Sequence, residues 1–258
     1  MSRSAMGGGQ LRVFETPEAL AREAAAAFAR LARERVAETG RFLVALAGGA
    51  TPRGLYRALA GPPYIAGLPW EQIHLFWGDE RCVPPNHPDS NYRMAEESLL
   101  HRIPIPPNNV HRMLGEHPKP VEAARIYAAL LLRLLPLTAE GRPRFDLILL
   151  GLGTDAHTAS LFPGSPLLSE TETLVAVTPE AHGGYHRLTF TPPILNAACE
   201  VWFLVTGADK AEALRAVLEE LFDPKLRPGQ IVRPKDGRLI WYLDRAATQH
   251  LTQPTRSN

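Results

Sequence analysis

The segment from Phe145 to Pro163, with the sequence FDLILLGLGTDAHTASLFP, constrains the fold of this 258-residue chain more than any other. Its apolar run, Leu147 to Leu150, is too short for a helix and lacks polar alternation, which is typical of a strand buried on both faces. The glycines that follow let the backbone turn sharply and approach a ligand closely. Ligands of open α/β sheets bind past the carboxyl ends of such strands, so the polar residues that follow predict a site. Among them, His157 is the one group that titrates near neutral pH.

A second buried strand, Phe42 to Ala47, runs directly into a glycine-rich loop, after which a helix is predicted up to Ala60. The loop consists of Gly48, Gly49, Ala50 and Thr51. Glycines expose backbone N–H groups and a helix N-terminus adds partial positive charge, so the pattern favours an anion. It differs from a Walker A loop, which ends in Gly-Lys-Ser/Thr, and from the GxGxxG fingerprint. On this pattern alone, a tight strand-to-helix turn without a ligand is an equal alternative.

The predicted strand Ile73 to Trp77 is followed by a cluster of charges that includes Asp79 and Arg81. Unpaired buried charge is costly, so such a cluster at a strand end favours a functional role. The alternative is a salt-bridge cluster on the surface.

Two further basic residues lie at the ends of predicted strands. Arg187 opens the alternating strand Arg187 to Thr191, and Lys210 opens a helix after the buried strand Val201 to Thr206. A lysine at a helix N-terminus opposes the helix dipole, so a bound anion explains Lys210 better. The alternative is a surface lysine that extends its ammonium group into solvent.

Predicted strands and helices alternate along the chain, which indicates an α/β fold with a mostly parallel sheet. Besides those named above, helices are predicted at 17–38, 90–100 and 121–135, and strands at 173–177 and 239–243. We expect one domain over residues 11–250, preceded by a disordered tail at residues 1–10. Carboxyl ends of parallel strands converge on one edge, so the site residues are expected to meet there.

Charge and composition exclude several classes of partner. The formal net charge is +1, which leaves no electrostatic footprint for nucleic acid or an anionic membrane. No run of about 18 apolar residues predicts a membrane span. Cys82 and Cys199 lack CxxC spacing, and the N-terminus lacks the apolar region of a signal peptide, so a cytoplasmic location is predicted.

Together these residues predict a phosphate site with one imidazole beside it. Arg187, Lys210, the glycine loop and a helix N-terminus would hold a phosphate, which carries a charge of about −1.5 to −2 at pH 7. No metal-binding constellation stands out and no GxSxG motif marks a serine nucleophile, so no catalytic metal is expected. The simplest chemistry is His157 as a general base for water, which attacks an ester-like carbonyl of a phosphorylated small molecule.

Three segments together closely resemble the 6-phosphogluconolactonases of the pentose phosphate pathway. They are AGGATP at 47–52, FWGDERCVPPNHPDSNYRMAEESLL at 76–100 and GLGTDAHTASLFP at 151–163. The resemblance extends from about residue 12 to about residue 245. It implies the fold shared with glucosamine-6-phosphate deaminases and ribose-5-phosphate isomerases, a modified doubly wound, Rossmann-like sheet. It also implies hydrolysis of 6-phospho-D-glucono-1,5-lactone to 6-phospho-D-gluconate without a cofactor.

The resemblance also implies roles for individual residues. His157 falls on the family's proposed catalytic histidine, and Asp79 and Arg81 fall in its GDER motif. The implied substrate-binding residues are Gly48, Gly49, Ala50, Thr51, Arg187 and Lys210. Two positions depart from the family, because Ala50 stands where serine is usual and Ala156 stands where glycine is usual. Alanine adopts a positive φ less easily, so the turn before His157 is expected to differ slightly.

These roles imply a mechanism in which the phosphate docks on the glycine loop and the lactone carbonyl lies near His157. The imidazole takes a proton from water, the hydroxide attacks C1, and the proton passes to the ring oxygen as the ring opens. Asp79 orients His157 or the sugar hydroxyls. Arg81 stabilises charge or pairs with Asp79, and the sequence does not separate these roles.

Two alternatives use the same fold. A sugar-phosphate isomerase or deaminase is disfavoured, because deaminases carry a glutamate a few residues after the histidine and Ser160 to Pro163 contain no acid. A non-catalytic sugar-phosphate sensor is disfavoured because His157, Asp79 and Arg81 are all present. The sequence leaves the oligomeric state open between a monomer and a small homo-oligomer.

Overall fold

The computed structural model describes residues 9–252. The strands are β1 (Gln10–Phe14), β2 (Phe42–Leu46), β3 (Ile73–Trp77), β4 (Asp79–Arg81), β5 (Val110–His111), β6 (Leu147–Leu150), β7 (Val175–Val177), β8 (Arg187–Phe190), β9 (Glu200–Val205) and β10 (Arg238–Asp244). The helices are α1 (Pro17–Thr39), α2 (Ala50–Leu59), α3 (Tyr64–Gly67), α4 (Asn91–Ser98), α5 (Pro120–Leu134), α6 (Pro192–Leu195) and α7 (Ala211–Glu219).

Seven strands form one parallel sheet in the order β1-β10-β9-β6-β2-β3-β5. All residues of β2, β6 and β9 are buried, as expected for central strands that are covered on both faces. Their apolar side chains belong to a single core that also includes residues of α1, α2 and α5. The predicted single-domain α/β fold with a mostly parallel, doubly wound sheet is therefore confirmed.

Several helices begin and end at the residues that the sequence signals indicated. The Thr16 hydroxyl accepts a hydrogen bond from the Ala19 N–H at 3.2 Å, and Gly40 ends α1 with a φ of 77°. The Ser90 hydroxyl accepts one from the Arg93 N–H at 3.1 Å and begins α4. Local capping chemistry thus sets these boundaries, as is usual for hydroxyl and glycine caps.

Strand β1 was not predicted from the sequence. It begins at Gln10, which was predicted to lie in the tail, and it pairs in parallel with β10. Only Val13 among its residues is fully buried, so this edge strand lacks the apolar run that predicts central strands. Residues 1–8 of the predicted tail lie outside the described residues.

Three strands form a second, antiparallel sheet in the order β4-β8-β7. The sequence did not predict β4, because its three residues are all charged. Gly78 connects the two sheets: its N–H donates to the Leu46 carbonyl at the end of β2, and its carbonyl accepts from the Phe190 N–H. The small sheet therefore lies beside the carboxyl edge of the parallel sheet. Arg187 begins strand β8 as predicted, but this strand belongs to the antiparallel sheet and not to the parallel one.

Within residues 9–252, no three or more histidine, cysteine or acidic side chains are grouped so as to bind a metal ion. In the same part of the chain, no helix combines the length and the apolar character that crossing a bilayer requires. The cytoplasmic location stays a prediction.

Candidate active site

A cleft of about 410 Å³ opens where β2, β6 and β9 end. Every site residue predicted from the sequence lines it. They are Gly48, Gly49, Ala50, Thr51, Asp79, Arg81, His157, Arg187 and Lys210. The two sheets thus bring together residues that are up to 162 positions apart, because Gly48 and Lys210 follow strands of the same parallel sheet.

The glycine loop presents the N-terminus of α2 to this cleft. Gly49 precedes the helix with a φ of 102°, and no side chain of residues 9–252 caps the first turn. Gly48 is required for packing, since a Cβ there would lie 2.0 Å from the Asn91 Oδ1. The Thr51 hydroxyl is 2.7 Å from that of Thr206 at the end of β9. Exposed backbone N–H groups and the positive end of the helix dipole are the features by which helix N-termini bind anions, and the loop has both.

Two arginines lie opposite each other in the small sheet. The register of β4 and β8 pairs Arg81 with Arg187, and both side chains line the cleft. Arg81 donates to the Asp89 carbonyl, and Arg187 donates to the His182 carbonyl at 3.1 Å. Both Nε atoms are buried without a hydrogen-bond partner among residues 9–252. Burial lowers the pKa of Arg187, and the charge of Arg81 lowers it further. Like charges opposite each other are destabilising, and an anion bound between them would offset that cost.

The His157 imidazole is held by Asp155. Its Nδ1 lies 2.5 Å from the Asp155 Oδ1, which also accepts from the His157 N–H at 3.1 Å. Burial by itself raises the pKa of Asp155, but the charge of His157 and these hydrogen bonds lower it overall. An ionised carboxylate at Nδ1 assigns the ring proton to that nitrogen and leaves the Nε2 lone pair for a proton from the cleft. Gly153 makes room, since a Cβ there would be 2.1 Å from Nδ1.

A buried aromatic ring supports the imidazole on another side. The ring centroids of His157 and Phe162 are 4.6 Å apart, and the His182 ring stacks on Phe162 at 3.6 Å. The Arg187 guanidinium carbon lies 5.5 Å from the centre of the same ring. Phe162 therefore contacts both the histidine and one of the opposed arginines.

The turn before His157 differs from the expectation that alanine at position 156 would avoid a positive φ. Alanine at position 156 was expected to alter the turn, but Ala156 itself adopts a φ of 66°. Hydrogen bonds hold it there: its N–H donates to the Gly153 carbonyl at 3.0 Å, and its carbonyl accepts from the Gly229 N–H at 2.9 Å. The chain thus takes a conformation that favours glycine, at a cost of about 1–2 kcal/mol.

Asp79 contacts neither of the partners that the sequence suggested. Its carboxylate accepts from the Ser160 hydroxyl at 2.7 Å and from the Asn91 side-chain amide at 3.1 Å. No hydrogen bond joins it to His157 and no ion pair joins it to Arg81 in the described part of the chain. Buried hydrogen bonds hold the carboxylate rigidly at the cleft wall, where it remains a candidate contact for sugar hydroxyls.

No role was predicted from the sequence for Asp155, Asn91 or Ser160. The useful signal for Asp155 is its spacing, since an aspartate side chain in a turn often accepts from the backbone two residues on. Asn91 and Ser160 lie far from Asp79 in sequence, and no local pattern indicates their contacts.

Lys210 lies in the cleft wall at the N-terminus of a helix, as the sequence indicated. It ends a short 3₁₀ turn, Ala208–Lys210, and α7 begins at the next residue. Its Nζ lies 3.4 Å from the Asp209 carboxylate. This neighbouring acid offsets the charge of Lys210, so the lysine does not by itself require a bound anion.

Comparison with known proteins agrees with this geometry. The family model of glucosamine-6-phosphate isomerases/6-phosphogluconolactonase matches residues 15–241. A 6-phosphogluconolactonase of Synechocystis sp. is 45% identical over 216 residues, which cover 84% of this chain and 87% of that protein. One of Nostoc sp. is 42% identical over 217 residues, covering 84% and 88%. The solved structure of 6-phosphogluconolactonase from Trypanosoma brucei has a TM-score of 0.82 and 28% identity, covering 98% of this chain and 100% of that one.

The fold is that of the α/β group that comprises glucosamine-6-phosphate isomerases and 6-phosphogluconolactonases. Relatives above 40% identity narrow the assignment within that group. The chain belongs to the 6-phosphogluconolactonase family, and by this kinship it is a lactone hydrolase.

Proposed function

We propose that this enzyme hydrolyses 6-phospho-D-glucono-1,5-lactone to 6-phospho-D-gluconate, with His157 as the general base that activates water. The carrying observation is that one cleft contains two opposed arginines and an imidazole whose Nδ1 is bonded to a carboxylate. The arginines suit the phosphate of the substrate, and the imidazole suits attack on its lactone carbonyl.

The phosphate binds between the start of α2 and the opposed arginines. Its charge of about −1.5 to −2 offsets the repulsion between Arg81 and Arg187, whose guanidinium groups donate charge-assisted hydrogen bonds to it. Backbone N–H groups at Gly49 and Ala50 supply further donors, so serine is not needed at position 50. Lys210 lies at the same wall of the cleft and is a further hydrogen-bond donor to the phosphate, although Asp209 offsets its charge.

Hydrolysis then proceeds from the Nε2 of His157. This nitrogen takes a proton from water while the hydroxide attacks C1 of the lactone. Asp155 stabilises the imidazolium that forms, and the same proton passes to the ring oxygen as the C1–O bond breaks. General base catalysis of this kind typically contributes 10²–10⁴-fold, which is adequate for an activated ester.

Asp79 accepts hydrogen bonds from the hydroxyls of the sugar ring. An ionised carboxylate offers about four lone-pair sites, and Ser160 and Asn91 occupy two of them. The remaining sites accept hydroxyl protons of the sugar ring. Arg81 belongs with the phosphate contacts, which separates its role from that of Asp79.

The test is hydrolysis of freshly prepared 6-phosphogluconolactone, followed by proton release in the first minutes. We expect fast turnover by the wild type and a loss of about 10²–10⁴-fold in kcat for His157→Ala. Asp155→Asn is expected to lose at least about 10²-fold in kcat with little change in KM, because the amide no longer enforces the tautomer. His101→Ala, which changes an exposed histidine remote from the cleft lining, is the matched control.

Unphosphorylated gluconolactone tests the phosphate anchor. The wild type should hydrolyse it poorly, and Arg187→Met should raise KM for the phosphorylated lactone without changing the rate on the control substrate. Wild-type turnover equal to the spontaneous rate would overturn the lactonase proposal in favour of an isomerase, a deaminase or a sensor. A fully active His157→Ala variant would leave the activity standing and remove His157 from the mechanism.

A further inference from the structure

Helix α5 exposes an unusual share of large apolar side chains. Val121, Ile126 and Leu132 are 57%, 44% and 48% exposed, and Leu137 just beyond the helix is 53% exposed. A groove of about 490 Å³ runs beside the helix, and its walls include Ile126, Leu130 and Leu114. Ile126 lies on the groove side of the helix, whereas Val121 and Leu132 lie on another side and are not part of its walls. An exposed apolar side chain beside a groove is a feature of interaction surfaces.

The exposed face of α5 carries a charge pattern that is complementary to itself. One stripe consists of Glu122, Ile126, Ala129 and Arg133. Their spacing of four, three and four residues places them on one side of the helix. The acid lies in the first turn, the base lies in the last turn, and two apolar residues lie between them.

The charges at the two ends of the stripe are weakly engaged within the chain. Glu122 makes one exposed contact, at 3.8 Å, with Arg125. The Arg133 guanidinium has no carboxylate within ion-pair distance among residues 9–252. Its charge instead contributes to lowering the pKa of the neighbouring His111. Both ends are therefore available to a partner.

We infer that this stripe is the contact of a homodimer, in which α5 packs antiparallel against α5 of a second copy. A two-fold axis passing between residues 127 and 128 places Glu122 of each copy opposite Arg133 of the other. It also places each Ile126 opposite the small Ala129, so that the larger side chain fits over the smaller one. Such an isologous contact is closed by its symmetry and involves no further copies.

The dimer leaves the active site open and is modest in strength. None of the stripe residues lines the catalytic cleft. A 15-residue helix is about 22 Å long, so one helix pair with its flanks buries less than the roughly 1,600 Å² of a standard interface. We expect a reversible monomer–dimer equilibrium with a Kd on the order of micromolar.

Sedimentation or light scattering from about 1 µM to about 500 µM tests the inference. The wild-type mass should rise towards twice 28.4 kDa. Arg133→Glu and Glu122→Arg each bring like charges together twice, and each should weaken dimerisation at least about tenfold. The double variant Glu122→Arg/Arg133→Glu exchanges the charges and should restore it.

Arg22→Glu, on the exposed side of α1, is the control for a change of surface charge and should dimerise as the wild type does. All variants should keep wild-type lactonase activity, which checks that they are folded. A wild type that stays monomeric over the whole range overturns the inference. The inference is also overturned if neither single variant dimerises more weakly than the wild type. The same holds if the single variants dimerise more weakly and the double variant does not restore dimerisation.

Discussion

Position 156 shows a single residue under backbone strain beside the catalytic histidine. Ala156 is held at a φ of 66° although alanine disfavours that region. Ala156→Gly removes a cost of about 1–2 kcal/mol, from which about 0.5–1 kcal/mol of glycine entropy is subtracted. We therefore expect the free energy of unfolding to rise by about 0.5–1 kcal/mol, measured by urea denaturation.

The control for this prediction is an alanine in regular helical conformation, where a change to glycine is destabilising. Ala26 is exposed in the middle of α1, and Ala26→Gly should lower the free energy of unfolding by about 1 kcal/mol. Equal losses in the two variants would mean that Ala156 is not strained. Because the turn keeps its shape, kcat of Ala156→Gly should stay within about twofold of the wild type.

At the scale of residues, the sequence predicted His157 but not what holds it. The imidazole was recognisable from its position after a buried strand and two glycines. Which carboxylate reaches Nδ1 depends on the turn, and the turn depends on hydrogen bonds from Gly153 and Gly229. No local sequence pattern indicates a contact with residue 229. Asp79 was therefore proposed, in place of Asp155, as the residue that orients His157.

At the scale of elements, a buried glutamate joins strand β4 to helix α4. The Glu80 carboxylate accepts from the backbone N–H groups of Arg81, Asn91 and Tyr92, at 2.7–2.8 Å, and from the Ser90 hydroxyl at 3.0 Å. Burial raises the pKa of Glu80, although these backbone donors oppose the increase. The carboxylate thus caps α4 and holds β4, and with it Arg81, in place.

Glu80→Gln should break this connection, because an amide NH₂ must then face backbone donors. We expect a loss of about 3 kcal/mol in the free energy of unfolding, together with a rise in KM as Arg81 shifts. Glu97→Gln changes an exposed residue at the end of the same helix and should stay within about 0.5 kcal/mol of the wild type. Equal effects in the two variants would contradict the structural role of Glu80.

Strands marked by a local sequence pattern were predicted accurately, whereas a strand that forms through long-range pairing was missed. Strands β3 and β6 were predicted with the bounds that the structure shows, since an apolar run between polar residues is a local signal. Strand β4 was missed because its formation depends on pairing with β8, more than 100 residues away, and not on its own composition. The parallel sheet was thus predictable, whereas the antiparallel sheet that places Arg81 against Arg187 was not.

At the scale of the whole molecule, a histidine pair makes stability depend on pH. The His74 Nδ1 lies 3.1 Å from the His111 Nε2 where edge strand β5 meets β3. Burial lowers the pKa of His111 to about 4, and the charges of His74 and Arg133 contribute. Burial also lowers the pKa of His74, assisted by Arg41. The folded state therefore favours the neutral rings.

Because the pKa values of both histidines are lowered in the folded state, the free energy of unfolding decreases as the pH falls. Between pH 6.5 and about pH 4, the unfolded chain binds more protons than the folded one, so stability is full above pH 6.5 and falls as the pH is lowered. His111→Gln keeps a polar group beside His74 but removes one titrating ring. Urea midpoints at pH 7.5 and pH 5 should differ less in this variant than in the wild type. Equal differences would show that the pair does not contribute to the pH dependence.

The pairing of β1 with β10 has a consequence for how the chain is made. Arg12 in β1 donates to the Tyr242 hydroxyl in β10 across 230 residues, and β10 is the one strand that β1 contacts in the seven-stranded sheet. A ribosome adding about 5–20 residues per second releases β1 first and β10 last. Of these two strands, β1 therefore waits roughly ten seconds or more for its neighbour, and the sheet is completed only after β10 has emerged from the ribosome.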